Sequence, residues 1–378
     1  MADIKKKSKI LFCDNTLWGL VNFRGDVIRH FKDKGYDIVL AAPEKEDDQM
    51  RTDRPEGVRY IPVKMKRTGT NPIGDFEYFL QLYKIIRKEK PDFVFNYTIK
   101  PNIYGSMAAK LRRCYTTAMI AGLGYIFKTE AFKTKFARAL YKFGLRFTDK
   151  LMILNADNYS FVINSHFCRK DKVILLEGGE GVNLDRYRFH NNVSDKIVFM
   201  FVGRISWDKG YDEFSKAARM VKKKYPDVSF RMLGSLDPAY PKSVPVERIK
   251  QDESDGIVEY NGFVRDMRSV FSQKGLIIVV PSHFEGMNRS LMEACASGKP
   301  VITTDIAGCR ELVDDGVNGY LVKPHDYVAL ADAMIKYIKL TDAEKAGFSV
   351  NSRRLAEKRF DVNSVIRVYD SIIAEKLD

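Results

Sequence analysis

Residues 275–300, GLIIVVPSHFEGMNRSLMEACASGKP, contain the pattern that decides the predicted fold. The apolar run LIIVV has the length and composition of a buried strand, and a helix-forming segment follows it. Asn288 is a favourable N-cap for that helix, and Gly298 with the proline two residues later is a stop signal. The stretch therefore predicts a strand, a loop that carries Glu285 and a helix that carries Glu293.

Glu285 and Glu293 are eight residues apart, the first before the predicted helix start and the second inside the helix. Free backbone N–H groups and the positive end of the helix dipole favour an anion at such a start. This geometry suits a nucleotide-sugar, whose diphosphate would face the N–H groups while the carboxylates accept its hydroxyls. Taken alone, the same spacing also fits two acidic residues on a solvated helix end.

Short apolar runs alternate with helix-length spacers along the chain, which is typical of parallel sheets in an α/β fold. The pattern restarts after a polar stretch at 183–195, so we predict two doubly wound halves with ligand at the carboxyl ends of the strands. We place a Rossmann-like domain at 1–185, a second at 186–360, and a C-terminal helix at 361–378 that can cross back to the first. The predicted strands are KILFC, DIVLAA, RYIPV, DFVFN, TTAMIA, KLMIL and KVILLEGG, then KIVFMFVG, VSFRMLG, IVEYNG, LIIVVPS, PVITTD and GYLV.

Composition excludes several classes of protein. The chain has 378 residues and is 45% hydrophobic, so it can bury sizeable cores, and it has no run of about 18 apolar residues that would predict a membrane span. The amino-terminal segment lacks the apolar core of a signal peptide, so we expect a cytoplasmic protein. The five cysteines are scattered without C-x-x-C spacing, which predicts reduced, mostly buried thiols and no cysteine zinc site.

The net charge of +14 is concentrated in one half of the chain. Residues 1–190 hold 35 Lys and Arg against 22 Asp and Glu, a net charge of +13, whereas the remainder holds 28 against 27. This asymmetry predicts a polyanionic partner for the first half, either a nucleic acid or an anionic membrane surface. Because no helix-turn-helix or basic aromatic RNA motif accompanies the charge, we expect no nucleic-acid partner.

The first strand of the second half leads into GRISWDKG, residues 203–210. Gly203 lets the chain pass close to a ligand, and Arg204 and Lys209 place two cations beside the next helix start. Two cations with helix-start amides form a diphosphate site. An Arg and a Lys in a loop are otherwise simply solvated, but this motif and the glutamate pair both follow strand ends in one domain.

FVGRISWDKG, VEYNGFV, the long segment from PSHFEGMNRS to VNGYLV, and the linker GGEGVNLDRY together resemble the retaining GT-B glycosyltransferases of family 4. The resemblance is strong from residue 176 to 322 and implies a GT-B fold, with two Rossmann-like domains facing a central cleft. It implies that Arg204 and Lys209 bind the donor diphosphate, Glu293 the ribose and Glu285 the transferred sugar. It also assigns Gly286, Met287 and Asn288 to the donor site, and it implies retention of configuration without a metal ion or other cofactor.

The first half offers weaker candidates. The segment DNTLWGLVNFRG after the first strand has Trp18 and Gly19 where the family brings a Gly-containing turn to donor and acceptor. The segment NYTIKPNIYG also follows a strand, so we expect Asn96, Lys100 and Asn102 to reach the cleft mouth, with Lys100 either near an acceptor phosphate or solvated. Many relatives have a histidine near the reaction centre, where this chain has AGLGYIF, residues 121–127. His283 could face the cleft, and the catalytic base is left open.

Apolar and basic residues repeat with helical spacing between Phe132 and Leu151. Such a helix can lie in an anionic bilayer surface, or it can be a core helix with a basic outer edge. The apolar positions are Phe132, Phe136, Leu140, Phe143, Phe147 and Leu151, and the cations beside or near them are Lys128, Lys133, Lys135, Arg138, Lys142 and Arg146, with a basic loop at Lys64, Lys66 and Arg67.

GLGYIF with HFEGMNRSLMEACASGKPVITT most resembles bacterial family members that add N-acetylgalactosamine or a related hexose to undecaprenyl-diphosphate sugars. We therefore expect transfer of a HexNAc or hexose from a UDP-sugar to a lipid-linked saccharide, by a peripheral protein on the cytoplasmic face of the inner membrane. The alternatives are a family 4 enzyme with a soluble acceptor and a non-hydrolysing sugar-nucleotide epimerase. No G-x-G-x-x-G follows the first strand of either half, which argues against an NAD-dependent enzyme.

Overall fold

A computed structural model describes residues 8–43, 54–66, 71–122 and 132–377 of the chain. The chain divides into two compact units, the first made of Met1–Glu180 with Asn363–Asp378 and the second of Gly181–Val362. The first unit therefore includes most of the last helix. The division after Glu180 lies a few residues before the boundary that the sequence predicts at 185/186.

The first unit is built on a seven-stranded parallel sheet with the order β3-β2-β1-β4-β5-β6-β7. Its strands are rich in Val, Ile, Leu and Phe because a parallel sheet is covered on both faces. The strands are β1 Lys9–Cys13, β2 Asp37–Ala42, β3 Arg59–Pro62, β4 Phe93–Tyr97, β5 Tyr115–Ile120, β6 Lys150–Ile153 and β7 Val173–Leu175. The helices are α1 Leu17–Asp33, α2 Pro72–Glu89, α3 Ser106–Leu111, α4 Phe132–Leu145 and α5 Ala156–Asn164, with a π-helical turn at Pro101–Gly105.

The second unit is built on a six-stranded parallel sheet with the order β10-β9-β8-β11-β12-β13. Its strands are β8 Val198–Val202, β9 Ser229–Leu233, β10 Glu259–Tyr260, β11 Leu276–Val280, β12 Val301–Thr304 and β13 Gly319–Val322. Its helices are α6 Tyr211–Lys222, α7 Val246–Ser254, α8 Arg268–Phe271, α9 Arg289–Ala296, α10 Tyr327–Ile338 and α11 Asp342–Arg359, and the chain ends with α12, Val362–Leu377. Every strand that the sequence predicts is present, and the predicted α/β class is confirmed.

Each sheet has a point where its strand order reverses. In the first unit β1 lies between β2 and β4, and in the second unit β8 lies between β9 and β11. The loops after β1 and β4, and those after β8 and β11, therefore emerge side by side at the carboxyl edge of their sheet. Doubly wound folds bind ligands at such reversal points.

The core of the first unit includes an aromatic stack that α12 completes. Phe12 and Phe95 stack with their ring centroids 5.4 Å apart, and the Tyr369 ring lies 5.1 Å from that of Phe95. The hydroxyls of Tyr97 and Tyr369 are 2.9 Å apart, so the two buried phenols hydrogen-bond each other. Burial of one large apolar side chain contributes about 1.5–3 kcal/mol, which explains why α12 belongs to this unit.

Helix α4 is shorter than the sequence predicts. It ends at Leu145, whereas Leu151 is a buried residue of β6, so the apolar stripe does not extend along one helix. Tyr141 and Leu145 pack into the core, and Phe136 and Phe143 are 58% and 46% exposed. Leu151, the last position of the predicted face, thus belongs to a strand, because apolar residues alone do not distinguish the two structures.

Within the described residues, no helix combines the length and the apolar character that a membrane crossing requires. All five cysteines are free, as predicted, and three of them are buried: Cys13, Cys295 and Cys309. Among the residues of the predicted membrane surface, Arg67 and Lys128 lie outside the described residues, as do the side chains of Phe132 and Lys133.

Candidate active site

Two loops of the second unit leave neighbouring strands at its reversal point. Residues 203–209 follow β8, and residues 281–288 follow β11. Because β8 and β11 pair in parallel, with Val198 opposite Leu276, both loops begin at the carboxyl edge of the sheet. These are the two segments for which the sequence predicts donor binding.

The carboxylate of Glu285 is held by three donors. Its Oε1 atom accepts hydrogen bonds from Nζ of Lys209 at 2.7 Å, from Oγ of Ser282 at 2.8 Å and from Nδ2 of Asn288 at 2.9 Å. The Glu285 side chain is 11% exposed and that of Lys209 is 24% exposed, so the ion pair is largely removed from water. Charge-assisted hydrogen bonds are stronger in such surroundings. Glu285 is therefore a fixed acceptor and not a mobile surface carboxylate.

The segment between Glu285 and α9 is fixed at both ends. Asn288 caps α9, as predicted, because its Oδ1 accepts the N–H of the residue three positions later at 2.9 Å. The backbone of Gly286 and Met287 lies against Gly308, where φ is 81° and an added Cβ would lie 2.4 Å from the Gly286 carbonyl oxygen. Only glycine fits at that position. The backbone assigned to donor binding is thus held in one conformation.

Lys209 reaches Glu285 because the loop after β8 is pressed against the loop after β11. Lys209 ends a 3-10 turn, Trp207–Lys209, and Gly210 follows in the left-handed conformation with φ of 84°. An added Cβ on Gly210 would lie 2.1 Å from the carbonyl oxygen of Pro281. A glycine at this position therefore lets the two loops approach closely and places the ammonium beside the carboxylate.

Arg204 is exposed and lies over an aromatic ring. Its guanidinium carbon is 4.4 Å from the ring centroid of Tyr240, at the distance of a cation–π contact. The Tyr240 hydroxyl donates to Oδ2 of Asp208 at 2.8 Å. Burial would raise the pKa of Asp208, but hydrogen bonds from Ser206 and Tyr240 lower it below its ordinary value. Asp208 thus fixes the position of Tyr240, and the Arg204 guanidinium packs over the Tyr240 ring.

Glu293 lies on α9 and has its own cation. Its Oε1 accepts from Nε of Arg289 at 2.8 Å, and Nη1 of Arg289 donates to the carbonyl oxygen of Gly181 at 2.7 Å. Burial raises the pKa of the neighbouring Tyr187, and the Glu293 carboxylate raises it further. Glu285 and Glu293 are therefore held by different cations, and the second is tied to the segment that begins this unit.

The two helices at the reversal point differ in the charge of their first turns. α9 has no acidic residue in its first turn, whereas α6 has Asp212 and Glu213 there. A diphosphate at the start of α6 would face these carboxylates, whereas at the start of α9 the nearby carboxylate is that of Glu285, which is bonded to the N-cap Asn288 and to Lys209. Which of the two helix starts supplies amides to the diphosphate stays a prediction, as does the expectation that the helix after GRISWDKG does so.

In the first unit, Trp18 and Gly19 belong to a helix and not to a loop. α1 begins at Leu17, with Thr16 as its N-cap. The Gly19 N–H donates to Oγ1 of Thr16 at 2.9 Å, and the Trp18 ring packs edge-on against Phe23. The predicted glycine turn is therefore the first turn of α1, because Thr16 is a strong N-cap that starts the helix early.

Asn96 and Asn102 are buried structural residues, so the expectation that they reach the mouth of the cleft is wrong. Asn96 lies in β4, where its Nδ2 donates to Oγ1 of Thr116 at 2.9 Å. Asn102 donates to the hydroxyl of Tyr141 and to a carbonyl of β5, both at 2.8 Å. Lys100 is not a free cation, since its Nζ lies 2.6 Å from Oδ1 of Asp75. The sequence cannot show which face of a strand a polar residue occupies.

A buried charge cluster that the sequence does not predict lies at the reversal point of the first unit. Arg24 contacts carboxylate oxygens of Asp14, at 3.3 Å, and of Glu180, and its guanidinium lies 4.4 Å from the ring centroid of Tyr97. Burial raises the pKa of Asp14 to about 6, although Arg24 opposes the shift. One signal was available, because Arg24 occupies a core-facing position among the apolar residues of α1.

His283 does not accompany Glu285. Its Nε2 lies 2.9 Å from Oε1 of Glu213, on α6, and its backbone N–H donates to the carbonyl of Asp208 at 3.0 Å. Residues 123–127 of the AGLGYIF segment lie outside the described residues. The catalytic base stays open.

Known proteins resemble the chain over nearly its whole length. The N,N'-diacetylbacillosaminyl-diphospho-undecaprenol alpha-1,3-N-acetylgalactosaminyltransferase of Campylobacter jejuni is 26% identical, over 97% of this chain and 99% of that protein. The UDP-Gal:alpha-D-GlcNAc-diphosphoundecaprenol alpha-1,3-galactosyltransferase of Escherichia coli is 25% identical, over 80% of each chain. A glycosyltransferase structure from Rickettsia africae superposes with a TM-score of 0.77 at 20% identity and covers 99% of both chains.

Family models match both units. A glycosyl transferase 4-like model matches residues 9–155, and a glycosyl transferases group 1 model matches residues 196–339, which together make up most of the chain. Because both models describe glycosyl transferases, the alternative of a non-hydrolysing sugar-nucleotide epimerase is excluded. With two parallel sheets, a reversal point in each and a paired lysine and glutamate at the second, the chain belongs to the group 1 glycosyltransferases and is a GT-B enzyme.

Proposed function

We propose that this glycosyltransferase moves a sugar from a UDP-sugar to an undecaprenyl-diphosphate-linked saccharide with retention of configuration. The observation that carries the proposal is the Lys209–Glu285 pair at the reversal point of the second sheet. A cation there suits a diphosphate leaving group, and a fixed carboxylate beside it suits a sugar hydroxyl. The sugar would be a HexNAc or a hexose, in line with the names of the two bacterial relatives.

Lys209 and Arg204 would take the negative charge that develops on the diphosphate as the glycosidic bond breaks. Preorganised cations lower the barrier because they need little rearrangement when the charge appears. Lys209 is already oriented by Glu285 at 2.7 Å, and Arg204 is exposed on the same loop and free to turn from Tyr240 to the phosphates.

Glu285 would bind the transferred sugar through its second oxygen. The three hydrogen bonds from Lys209, Ser282 and Asn288 all end on Oε1, so within the described residues Oε2 carries none of them. That oxygen can accept a hydroxyl hydrogen bond without displacing the groups that orient the carboxylate. Glu293 is the remaining carboxylate of the predicted donor site. It would accept hydrogen bonds from the ribose hydroxyls while Arg289 holds its Oε1 atom.

Two cations in one loop also support transfer without a metal ion. A divalent ion in other transferases supplies the same positive charge at the leaving diphosphate. We therefore expect the initial rate to be unchanged when a chelator is present throughout the assay. Loss of transfer on chelation, with recovery on addition of Mg²⁺ or Mn²⁺, would contradict the metal-independent mechanism.

The first unit supplies a surface that suits a lipid-linked acceptor. Phe136 and Phe143 of α4 project from the unit, and α2 exposes Ile73 and Phe76 at 74% and 60%. Both helices pack against the π-helical turn Pro101–Gly105, so the two apolar groups belong to one part of the unit. Exposed aromatic residues with Lys and Arg beside them favour an anionic bilayer surface. Exposed cations of this kind are Lys135 of α4, Arg146 just after its end, and Lys64 and Lys66.

This surface leads us to propose a peripheral location on the cytoplasmic face of the inner membrane. Flotation of the full chain with liposomes, with and without anionic phospholipid, tests it directly. Binding that requires the anionic lipid supports the proposal. Equal recovery in the soluble fraction with both liposomes would favour the family 4 alternative with a soluble acceptor.

The decisive functional experiment combines a set of UDP-, GDP- and ADP-sugars with an undecaprenyl-diphosphate-linked saccharide and the purified chain. We expect product from one UDP-HexNAc or UDP-hexose, and NMR of the new linkage should show the anomeric configuration of the donor. Hydrolysis of the donor without acceptor serves as a second measurement, since it does not depend on the saccharide. Inversion at the anomeric carbon, or turnover of only GDP- or ADP-sugars, would contradict the proposal.

A further inference from the structure

Three side chains with metal-binding atoms converge in the second unit, on segments next to the donor site. They are Glu213 in the first turn of α6, His283 in the loop after β11 and His325 in the loop after β13. One ligand atom of each lies within 4.8 Å of the other two. The three elements meet at the carboxyl edge of one sheet, although they are far apart in sequence.

The three groups already contact one another through the atoms that would bind a metal ion. Oε1 of Glu213 lies 2.9 Å from Nε2 of His283 and 3.3 Å from Nδ1 of His325. The two imidazole rings have their centroids 3.8 Å apart at an interplanar angle of 46°. Both rings therefore direct one nitrogen at the same carboxylate, and a small movement would let an ion take the position between them.

The buried carboxylate has capacity that these contacts do not use. Glu213 is 8% exposed, and its Oε2 is buried without a hydrogen-bond partner in the described part of the chain. Burial alone would raise the pKa of Glu213, but the contacts with His283 and His325 lower it below its ordinary value. An unpartnered carboxylate oxygen in a protein interior costs free energy unless it gains a hydrogen bond or a cation.

We infer that Glu213, His283 and His325 form a binding site for a divalent first-row transition-metal ion such as Zn²⁺. Two imidazoles and one carboxylate are a ligand set that Zn²⁺ accepts, with a water molecule completing the tetrahedron. The carboxylate would neutralise half of the ion's charge, and the exposed His325 leaves a route for the ion to enter. Mg²⁺ and Ca²⁺ are disfavoured, because both prefer oxygen ligands.

The ion would tie together three segments next to the donor site. His283 is two residues before Glu285, and the Lys209 loop leads directly into α6, which carries Glu213. Binding would thus stabilise the loops that carry the Lys209–Glu285 pair without taking part in sugar transfer. It does not conflict with metal-independent transfer, since the charge on the diphosphate is assigned to Arg204 and Lys209.

The test is a titration of the untagged, chelator-treated full chain with Zn²⁺, followed by equilibrium dialysis and by the melting temperature. We expect one tightly bound ion per chain and a melting temperature that rises with Zn²⁺. His325→Ala changes an exposed loop residue, so the variant should fold, and we expect its Zn²⁺ affinity to fall by at least about tenfold. His190→Ala removes another exposed histidine of the second unit and should bind Zn²⁺ like the parent chain.

Two results would overturn the inference. One is the absence of stoichiometric Zn²⁺ binding by the parent chain, and the other is equal affinity in His325→Ala and His190→Ala. Visible spectra of bound Co²⁺ provide a second readout, because a four-coordinate protein site absorbs much more strongly than six-coordinate Co²⁺ in water. The spectrum should be lost in Glu213→Gln if the carboxylate is a ligand, and an unchanged spectrum would contradict its role.

Discussion

Replacement of Lys209 by alanine tests the assignment of the diphosphate site. The substitution removes a cation whose Nζ lies 2.7 Å from Glu285 and whose side chain is 24% exposed. A unit charge about 4 Å from a charged partner interacts by about 4 kcal/mol at the effective dielectric constant of a protein surface. Loss of one preorganised donor at an oxyanion site costs about 2.7–4 kcal/mol. Both values correspond to a fall in kcat of roughly 100- to 1000-fold.

Stability should respond much less than activity to Lys209→Ala. Glu285 keeps the hydrogen bonds from Ser282 and Asn288, so the carboxylate does not lose all of its partners. A partly exposed ion pair contributes about 1 kcal/mol or less to stability. The variant should therefore fold, and its melting temperature should stay within a few degrees of the parent value.

The assay is release of UDP, with and without acceptor, from the parent chain, Lys209→Ala and Lys250→Ala. Lys250 is an exposed lysine of α7 in the same unit, and its replacement controls for the loss of one positive charge. We expect a large fall in kcat for Lys209→Ala alone. Rates within fivefold of the parent chain for both variants, with each variant folded, would refute the role of Lys209.

Three further predictions concern the loops, the buried charges and the membrane surface. Gly210→Ala should lower the free energy of unfolding in urea by at least about 2 kcal/mol more than Gly256→Ala. Both glycines have positive φ, but only at Gly210 would the added Cβ lie 2.1 Å from a carbonyl oxygen. Equal losses would contradict the close approach of the two loops. Because the pKa of the buried Asp14 is raised to about 6, the folded chain binds more protons than the unfolded chain between pH 3.8 and about 6, and this carboxyl lowers stability as the pH rises through that window. The free energy of unfolding of the parent chain relative to Asp14→Asn should thus fall by roughly 2.4 kcal/mol from pH 4 to pH 7, and a difference that does not vary with pH would exclude the shift. Replacement of both Phe136 and Phe143 by serine should reduce flotation with anionic liposomes severalfold without a change in melting temperature, since both rings are exposed; undiminished flotation would remove α4 from the membrane surface.

The sheets could be predicted almost completely from the sequence, for a physical reason. The central strands are buried on both faces and are therefore largely apolar, so each one forms an apolar run between polar spacers, as β8 and β11 do. The role of Asn288 as an N-cap was equally predictable, because few residue types have a side chain that accepts hydrogen bonds from the free N–H groups at a helix start. The same reasoning failed at Leu151, because an apolar residue fits a helix face and a strand equally well.

The polar parts of the site were harder to predict, because their orientation depends on tertiary contacts. Asn96 stands in an apolar strand, and only the structure shows that it bonds Thr116 inside the unit. The contact between Lys209 and Glu285 joins residues of two different strand-end loops, and its existence depends on the pairing of β8 with β11. Arg24 has its partners on other elements of the chain, so no local motif marks the cluster.

We propose that the second unit holds the diphosphate of a nucleotide-sugar between its two strand-end loops. Calorimetric titration of the full chain with UDP and with UMP measures this directly, since the two ligands differ by one phosphate. We predict that UDP binds at least about tenfold more tightly than UMP, and that the advantage is lost when Arg204 and Lys209 are both replaced by alanine. Equal affinity for UDP and UMP, or no binding of UDP, GDP or ADP, would contradict the assignment.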